Sequence, residues 1–235
     1  MSAADQRGSG RHQLFLVRRA ARSAAFLRRI PGADLQTLFP GIERLSVTLA
    51  HRARPRGLPH GDAFVLALIC AYLRPRRIFE IGTGTGEGTL IMASNAADGA
   101  RVETLDLGDA PSSLGVQSGD HPLEAGAVGE AFAGTSVAGA ITQHLGDSAA
   151  FDFTPFRGTM DLVFVDGAHT ADYVRGDSQA ALSMLAPGGT IVWDDCHLYH
   201  PGVSQGLTSL LAAGHPVRRL ETTRFAILRT SGGSR

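Results

Sequence analysis

Short apolar runs alternate with longer amphipathic stretches over most of the chain. After residue 60, runs rich in Val, Ile, Leu and Phe are bounded by Gly, Pro or Asp, which is typical of buried strands. The stretches between them have helical periodicity. The predicted strands are Arg77–Ile81, Arg101–Asp106, Ile141–Leu145, Asp161–Val165 and Thr190–Trp193, and the predicted helices are Ala63–Leu73, Thr89–Ala97 and Ala171–Leu185. This alternation indicates an α/β fold with a doubly wound, mostly parallel sheet.

The last apolar segments have a different spacing. Val217–Glu221 and Arg224–Arg229 are separated by only two threonines. Strands joined by so short a connection run antiparallel. We therefore expect a C-terminal antiparallel hairpin that closes the sheet.

The N-terminal part has another composition. Residues 1–10 are small and polar and are expected to be disordered. Leu14–Ile30 is Arg-rich and amphipathic and predicts a helix ended by Pro31, and a second helix is predicted at Leu35–Ala50. The charged face of the first helix is interpreted as solvated. A dimer contact, a lid over the active site, and a nucleic-acid or membrane contact stay open as alternatives.

These patterns divide the chain into a helical extension, residues 1–61, and a domain, residues 62–235. Asp62 is predicted to cap the first helix of the domain. Inside the domain, residues 107–142 are rich in Gly, Ala and Ser and are too long for a plain connection. This segment is interpreted either as a lid over the substrate or as a passive insertion, with a short helix anchored by Val128 and Phe132.

Composition limits the class of protein. The 235 residues are 43% hydrophobic and 19% charged with zero net charge, which indicates a globular rather than a disordered chain. The two cysteines lack metal-type spacing. No apolar run approaches the roughly 20 residues of a membrane span, and no early segment has the pattern of a leader peptide. We expect a soluble, unprocessed cytoplasmic protein.

Acidic residues follow two of the predicted buried strands. Asp166 begins the sequence Asp-Gly-Ala-His that ends at His169, and Asp194 and Asp195 form a pair. In open α/β sheets, ligands bind at the carboxyl ends of the strands. Three carboxylates are suitable ligands for Mg²⁺, and the sequence does not distinguish Mg²⁺ from Mn²⁺. His169 is suitable as a general base. His197 is a rival base or outer ligand.

This metal site depends on one condition. Consecutive residues of a strand point to opposite faces, so Asp194 and Asp195 can share an ion only if the strand has ended and turned between them. The alternative is that the acids cap turns without a metal and that His169 makes a hydrogen bond at the start of a helix.

A glycine-rich turn follows the first strand of the domain. The nine residues from Glu80 to Gly88 read Glu-Ile-Gly-Thr-Gly-Thr-Gly-Glu-Gly. The dinucleotide fingerprint G-x-G-x-x-G fits no register, because Glu87, Thr89 and Ile91 occupy the third-glycine positions. The turn therefore argues against a nicotinamide oxidoreductase.

The pattern Glu-x-Gly-x-Gly-x-Gly resembles motif I of class I S-adenosylmethionine-dependent methyltransferases, and the resemblance spans residues 77–193. It implies a Rossmann-like methyltransferase sheet and S-adenosylmethionine as cofactor. The resemblance implies that the glycine turn and its flanks contact the amino acid part of the cofactor; these residues are Glu80, Gly82, Thr83, Gly84, Gly86 and Thr89. It implies that Asp106 and Leu107, at the end of the second strand, contact the ribose, and that Asp147 and Ser148, after the third strand, contact the adenine. Asp166 is a further implied cofactor contact.

Some alternatives stay open for these residues. Asp106 and Asp147 could have only turn or cap roles, and Glu80 could be a buried acid that orients the turn. Glu103 is a weaker candidate for the ribose.

The Asp-Gly-x-His sequence and the Asp-Asp pair resemble metal-dependent O-methyltransferases, especially those that act on sugars of macrolide antibiotics, and more distantly catechol O-methyltransferase. This resemblance implies Mg²⁺ at Asp166, Asp194 and Asp195, with His169 as base. The expected function is O-methylation of a small hydroxylated molecule. The competing functions are a metal-independent methyltransferase and a nucleotide-sensing module that binds nucleic acid through the basic helix. We expect no membrane partner, and a homo-oligomer through the N-terminal helices is one possibility.

Overall fold

The computed structural model describes residues 18, 20–49, 57–109, 112–114 and 127–230. The strands in this part of the chain are β1 (Gly32–Ala33), β2 (Arg77–Ile81), β3 (Arg101–Asp106), β4 (Ile141–Leu145), β5 (Met160–Val165), β6 (Leu185–Trp193), β7 (Arg218–Leu220) and β8 (Ala226–Arg229). The α-helices are α1 (residues 20–27), α2 (Leu35–Leu38), α3 (His60–Leu73), α4 (Glu87–Asn95), α5 (Ala171–Met184) and α6 (Pro201–Ala212). Short 3₁₀ helices cover Ile42–Arg44, Ala138–Ala140 and Thr154–Phe156.

The strands form one mixed sheet with the order β1-β7-β8-β6-β5-β2-β3-β4. Strands β2 to β6 pair in parallel, while β8 runs antiparallel to both β6 and β7. The strand order reverses direction at β2 and β5, as in a doubly wound fold. The predicted fold class and the C-terminal antiparallel hairpin are therefore confirmed.

Apolar side chains of the central strands alternate between the two faces of the sheet. In β5, for example, Val163 and Val165 belong to one buried cluster with residues of α5 and α6, while Leu162 and Phe164 belong to another with residues of α3 and α4. This alternation follows from the two-residue period of a strand. Helices cover both faces, so the central strands are nearly continuous apolar runs.

The parallel register aligns the carboxyl ends of the central strands. Val165 at the end of β5 lies opposite Ile81 in β2 and Trp193 in β6. The next residues stay in line, since the N–H of Asp166 donates to the carbonyl of Ile81 at 2.7 Å and that of Asp194 to the carbonyl of Val165 at 3.0 Å. Segments distant in the sequence are thereby brought to one edge of the sheet.

The N-terminal part differs from expectation. The predicted helix Leu35–Ala50 is wrong, because α2 ends at Leu38 and an extended segment follows the 3₁₀ helix. The break lies at Pro40-Gly41, where Gly41 has a φ of 85°. Helical residues 20–27 agree with the predicted first helix, which ends at residue 27 rather than at Ile30. Residues 14–17 and 19 of that prediction lie outside the described residues, as do residues 1–10. Ile30 is buried in the core, so this segment is not wholly solvated.

Two further differences concern helix ends and an unpredicted helix. Asp62 does not cap helix α3, because the helix already begins at His60 and Asp62 lies in its first turn. The carboxylate of Asp62 instead accepts a hydrogen bond from Arg224. Helix α6 was absent from the sequence prediction.

No helix of the described residues combines the length and apolar character needed to cross a membrane. Phe39, Ile42 and Leu58 share a core with α3, and the division at residue 61 stays a prediction.

Candidate active site

The glycine turn after β2 is closed on one side and open on the other. Gly82, Gly84 and Gly86 have φ values of 97°, 52° and 88°, where a side chain would be strained. A Cβ on Gly82 would lie 2.0 Å from the carbonyl oxygen of Asp166, so the turn packs directly on the end of β5. A Cβ on Gly84 would meet no atom of the described residues within 4 Å. A ligand can therefore approach the backbone at Gly84.

Glu80 and the threonines near it form a buried network beneath the turn. Glu80 is 1% exposed, and its carboxylate accepts bonds from the hydroxyls of Thr89 and Thr104, the latter at 2.5 Å. Burial raises the pKa of Glu80 to about 8. Thr83 joins the network through the hydroxyl of Thr104 at 2.7 Å. These contacts favour the alternative in which Glu80 orients the turn, with the side chains of Thr83 and Thr89 directed inward.

Asp106 connects the end of β3 to the glycine turn. Its Oδ2 accepts the N–H of Gly84 at 2.8 Å, and its Oδ1 accepts the N–H of Gly108 at 3.0 Å. The turn role that the sequence left open is therefore present. A carboxylate has about four acceptor positions, so these two bonds leave capacity for ribose hydroxyls. Leu107, next in the chain, is partly buried.

Asp147 lies at the neighbouring end of β4 and is surrounded by donors. It accepts bonds from the N–H of Ser113 at 2.6 Å, the hydroxyl of Tyr173 at 2.8 Å and the N–H of Ala149 at 3.0 Å. Burial opposes ionisation of Asp147, but these hydrogen bonds outweigh it and hold the pKa below its usual value. Ser148 is partly buried. Tyr173 gave no signal in the sequence, because its partner comes from a distant segment.

The three acids predicted to bind metal are brought together. Strand β6 ends at Trp193, and Asp195 has a φ of 57° in the left-handed region. The turn that a shared site requires is therefore present. One carboxylate oxygen from each of Asp166, Asp194 and Asp195 lies within 4.8 Å of the others.

Arg224, from the connection between β7 and β8, donates to the same cluster. Its guanidinium bonds to Asp194 at 2.7 Å, to Asp195 at 3.2 Å and to Asp62 at 3.1 Å. Sequence reasoning missed both Arg224 and Asp62 because they come from opposite ends of the domain. Among the described residues, the acidic cluster at the carboxyl ends of β5 and β6 therefore contains one arginine and four carboxylates, those of Asp62, Asp166, Asp194 and Asp195.

The acids differ in their tendency to be charged. Burial and the neighbouring carboxylates raise the pKa of Asp166 well above its usual value and that of Asp194 to about 8. Burial would act in the same direction on Asp195, but hydrogen bonds from His169 and His197 outweigh it and hold its pKa below the usual range. Asp195 is therefore the member of this trio, Asp166, Asp194 and Asp195, with the strongest tendency to be ionised.

Histidines surround Asp195. The Nε2 atom of His169 lies 2.6 Å from Oδ2, that of His197 lies 2.9 Å from Oδ1, and that of His200 lies 4.0 Å from Oδ1. The predicted pairing of His169 with the acid cluster is thus observed. His200, which was not among the predicted site residues, also lies here, with its ring centroid 4.0 Å from that of His169 and the two rings tilted by 38°.

The long segment after β3 is only partly described. Residues 110–111 and 115–126 lie outside the described residues, so the lid interpretation stays a prediction. The described part contains turns and the 3₁₀ helix Ala138–Ala140. Phe132 packs on the glycine turn, because a Cβ on Gly86 would lie 2.6 Å from its ring. The segment therefore contacts the predicted cofactor side of the sheet.

Comparison with known families agrees with this geometry. The family whose sequence model is described as "Methyltransferase domain" matches residues 79–196, which run from β2 through the acid pair. The chain belongs to this methyltransferase family. This confirms the expectation of a class I S-adenosylmethionine-dependent methyltransferase. No curated protein matches the sequence.

Solved methyltransferase structures share the fold at low sequence identity. The O-methyltransferase TomG from Streptomyces achromogenes, involved in tomaymycin synthesis and solved with S-adenosylmethionine, is 20% identical with a TM-score of 0.55, covering 84% of this chain and 96% of its own. The methyltransferase PaMTH1 from Podospora anserina, bound to S-adenosylhomocysteine, is 17% identical with a TM-score of 0.56, covering 99% of both chains. An O-methyltransferase from Bacillus cereus, also bound to S-adenosylhomocysteine, is 16% identical with a TM-score of 0.51, covering 75% and 82%.

Proposed function

We propose that the protein is an S-adenosylmethionine-dependent O-methyltransferase that uses Mg²⁺ or Mn²⁺ and methylates a hydroxyl of a small molecule, such as a sugar, a polyketide or a catechol-like compound. The convergence of Asp166, Asp194 and Asp195 within 4.8 Å carries this proposal. The same edge of the sheet holds His169 and the glycine turn. TomG, an O-methyltransferase solved with S-adenosylmethionine, has the same fold and supports the choice of reaction.

The cofactor is assigned to the open side of the glycine turn. The backbone at Gly84 is accessible there, and Asp106, which fixes that backbone, has acceptor capacity for two ribose hydroxyls. Asp147 and Ser148 lie at the next strand end, on the side assigned to the adenine. Asp147 is buried and already accepts three hydrogen bonds, whereas Ser148 is partly buried and hydrogen-bonds to Asp177.

Asp166, Asp194 and Asp195, called the acid trio below, have donor atoms that suit a hard divalent cation. All donors are carboxylate oxygens, which Mg²⁺ prefers, and the turn at Asp195 allows consecutive residues to face one point. When bound, the ion would lower the pKa of an acceptor hydroxyl and orient it. Arg224 supplies one positive charge but leaves Asp166 and Asp194 with raised pKa values. A further cation therefore suits this cluster.

His169 is assigned the role of general base. Asp195 is charged, so Nε2 of His169 donates its hydrogen to Oδ2 at 2.6 Å, which places the basic lone pair on Nδ1. The carboxylate also stabilises the imidazolium formed when the ring takes a proton. In the reaction, the acceptor oxygen forms a bond to the methyl carbon while the carbon–sulfur bond breaks. The hydroxyl proton passes to His169.

Exposed apolar side chains lie next to this cluster. Leu198 is 44% exposed and Tyr199 is 63% exposed, and the ring of Tyr199 meets that of His197 edge to face at 5.6 Å. Exposed large apolar groups beside a polar site suit an acceptor that has an apolar face. This supports a small hydroxylated molecule over a highly charged one.

The proposal is tested by calorimetry and by a methyl-transfer assay on a panel of sugars, polyketides and catechols. We expect S-adenosylmethionine to bind, and transfer to an acceptor hydroxyl to require Mg²⁺ or Mn²⁺. Asp194→Asn should lose transfer at least tenfold while keeping cofactor binding, and Asp98→Asn, in an exposed loop, should behave as wild type. Absence of cofactor binding with and without Mg²⁺ would contradict the proposal.

One observation favours a metal-independent methyltransferase as the second candidate. Arg224 already pairs with Asp194 and Asp195, so a cation is available within the protein. Under this alternative, methyl transfer persists in the presence of a chelator, and Asp194→Asn keeps its activity. The same assay therefore separates the two candidates.

The cytoplasmic location and the self-association of the protein remain proposals. Both cysteines are free and buried, which is compatible with a reducing cytoplasm. Self-association through the N-terminal helices would be decided by the mass of the protein in solution.

A further inference from the structure

The carboxylate of Asp195 is lined by imidazoles. Nε2 atoms of His169, His197 and His200 lie 2.6, 2.9 and 4.0 Å from the Asp195 oxygens. One donor atom each from His169, Asp195 and His200 lies within 4.8 Å of the others. Asp195 is thus shared by two groups of donors, one made only of oxygen and one rich in nitrogen.

The nitrogen-rich group has the chemistry of a different class of ion. Imidazole nitrogen and one carboxylate oxygen suit Zn²⁺ and other divalent transition metals, whereas Mg²⁺ prefers oxygen alone. Bond lengths of 2.0–2.1 Å in a tetrahedral zinc site correspond to donor atoms about 3.3 Å apart. The observed separations from Asp195, 2.6 to 4.0 Å, lie on both sides of this value. All three donor atoms lie within 4.8 Å of one another, so shifts of roughly 1.5 Å or less would bring them to this spacing.

The backbone holds these side chains in place without a metal. A Cβ on Gly202, near the start of α6, would lie 2.2 Å from the carbonyl oxygen of His169, so the segments that carry His169 and His200 are packed in direct contact. Side chains of the three histidines are each about one fifth exposed. The cluster is therefore preorganised and still within reach of an ion from solvent.

Neighbouring groups define the set of donors. Cys196 is buried and burial raises the pKa of its thiol to about 12, so no thiolate is present. Arg224 lies 3.2 Å from Oδ1 of Asp195, which is also the oxygen nearest to His197. An ion held by His169 would replace the hydrogen that His169 now donates to Oδ2, while His200 lies nearest to Oδ1.

We propose that His169, Asp195 and His200, with His197 as a further ligand, form a second cation site that binds Zn²⁺ or a similar divalent transition metal. Filling this site removes His169 from its role as base, so Zn²⁺ inhibits methyl transfer. The inhibition rests on the proposed function, whereas the binding does not. Asp195 would connect this site to the oxygen site of the acid trio.

The binding is tested on the full, chelator-treated chain with Zn²⁺ alone and, as a spectroscopic probe, Co²⁺ alone. We expect one ion per chain and a Co²⁺ absorption spectrum of a low-coordinate site with nitrogen ligands. His200→Ala should weaken Zn²⁺ binding at least tenfold, and His197→Ala provides a second variant if the first does not fold. His215→Ala, outside the cluster, should bind Zn²⁺ as wild type does. Equal Zn²⁺ affinity in wild type and both cluster variants would overturn the proposal.

The inhibition is tested in the Mg²⁺-supported methyl-transfer assay. Equimolar Zn²⁺ should suppress wild-type activity, and at least tenfold more Zn²⁺ should be needed for the same fractional loss in His200→Ala. Zn²⁺ that binds in the first experiment yet leaves wild-type activity unchanged would overturn the assignment of His169 as a ligand. Failure of methyl transfer without Zn²⁺ would count against the proposed function, and Zn²⁺ binding would still decide the site.

Discussion

Mg²⁺ should bind to the acid trio more tightly as the pH rises from 7 to 9. The ion binds carboxylates, and the pKa of Asp194 is raised to about 8 because of burial and the charge on Asp195. With that pKa, about one eleventh of Asp194 is ionised at pH 7 and about ten elevenths at pH 9. The apparent association constant should therefore increase about tenfold from this residue alone. The raised pKa of Asp166 acts in the same direction.

Isothermal titration of Mg²⁺ at pH 7, 8 and 9, in pairs of buffers with different ionisation enthalpies, measures both the affinity and the protons released. We expect at least half a proton to be released per ion at pH 7, with release decreasing as the pH rises. Asp194→Asn should bind Mg²⁺ more weakly and lose the part of the pH dependence that Asp194 supplies, while Asp98→Asn keeps the wild-type profile. A wild-type affinity that varies less than twofold from pH 7 to 9, without proton release, would refute the reasoning.

Three other predictions concern single residues. His169→Ala should lower kcat by about 10² to 10⁴ with a smaller effect on the KM of the acceptor, as measured by steady-state kinetics; an equal loss in both would argue against a base. Asp106→Ala should weaken S-adenosylhomocysteine binding by about 10-fold to 100-fold in calorimetry, because a charged acceptor of hydrogen bonds is lost. Burial raises the pKa of Asp177 from 3.8 to about 7, so its ionisation destabilises the folded state as the pH rises through this interval. In urea denaturation, the stability of Asp177→Asn relative to wild type should rise by about 3 kcal/mol between pH 5 and pH 8, and a constant difference would contradict this.

The central strands could be predicted almost to the residue, whereas the periphery could not. Strands β2, β3 and β4 have the predicted bounds because each is a short apolar run between clear breaks. Strand β6 begins five residues before the predicted Thr190, since its first part pairs with β5 through an irregular register at Met160 that no local pattern reveals. The helix Leu35–Ala50 failed because Pro40-Gly41 interrupts its apolar periodicity. Local backbone preference there overrode the pattern.

The site was predictable where residues follow strands and not where they come from elsewhere. Asp166 and Asp194 could be placed together because parallel strands align their carboxyl ends. Arg224, by contrast, reaches the acids across the antiparallel hairpin, and Tyr173 reaches Asp147 from the side of a helix. Such contacts depend on how helices and hairpins pack on the sheet, which a single sequence does not encode in any short pattern.

The protonation of the acidic edge bears on the choice between the two candidate mechanisms. If Arg224 alone balanced the cluster, its contacts would hold the pKa values of the carboxylates at or below their usual range. Instead, the pKa of Asp194 is raised to about 8 although Arg224 lies 2.7 Å away, and burial and the neighbouring carboxylates raise that of Asp166 well above its usual value. One arginine therefore leaves the pKa values of both acids raised, and additional positive charge would lower them. A divalent ion supplies that charge, which favours the metal-dependent reaction over the reaction supported by Arg224 alone.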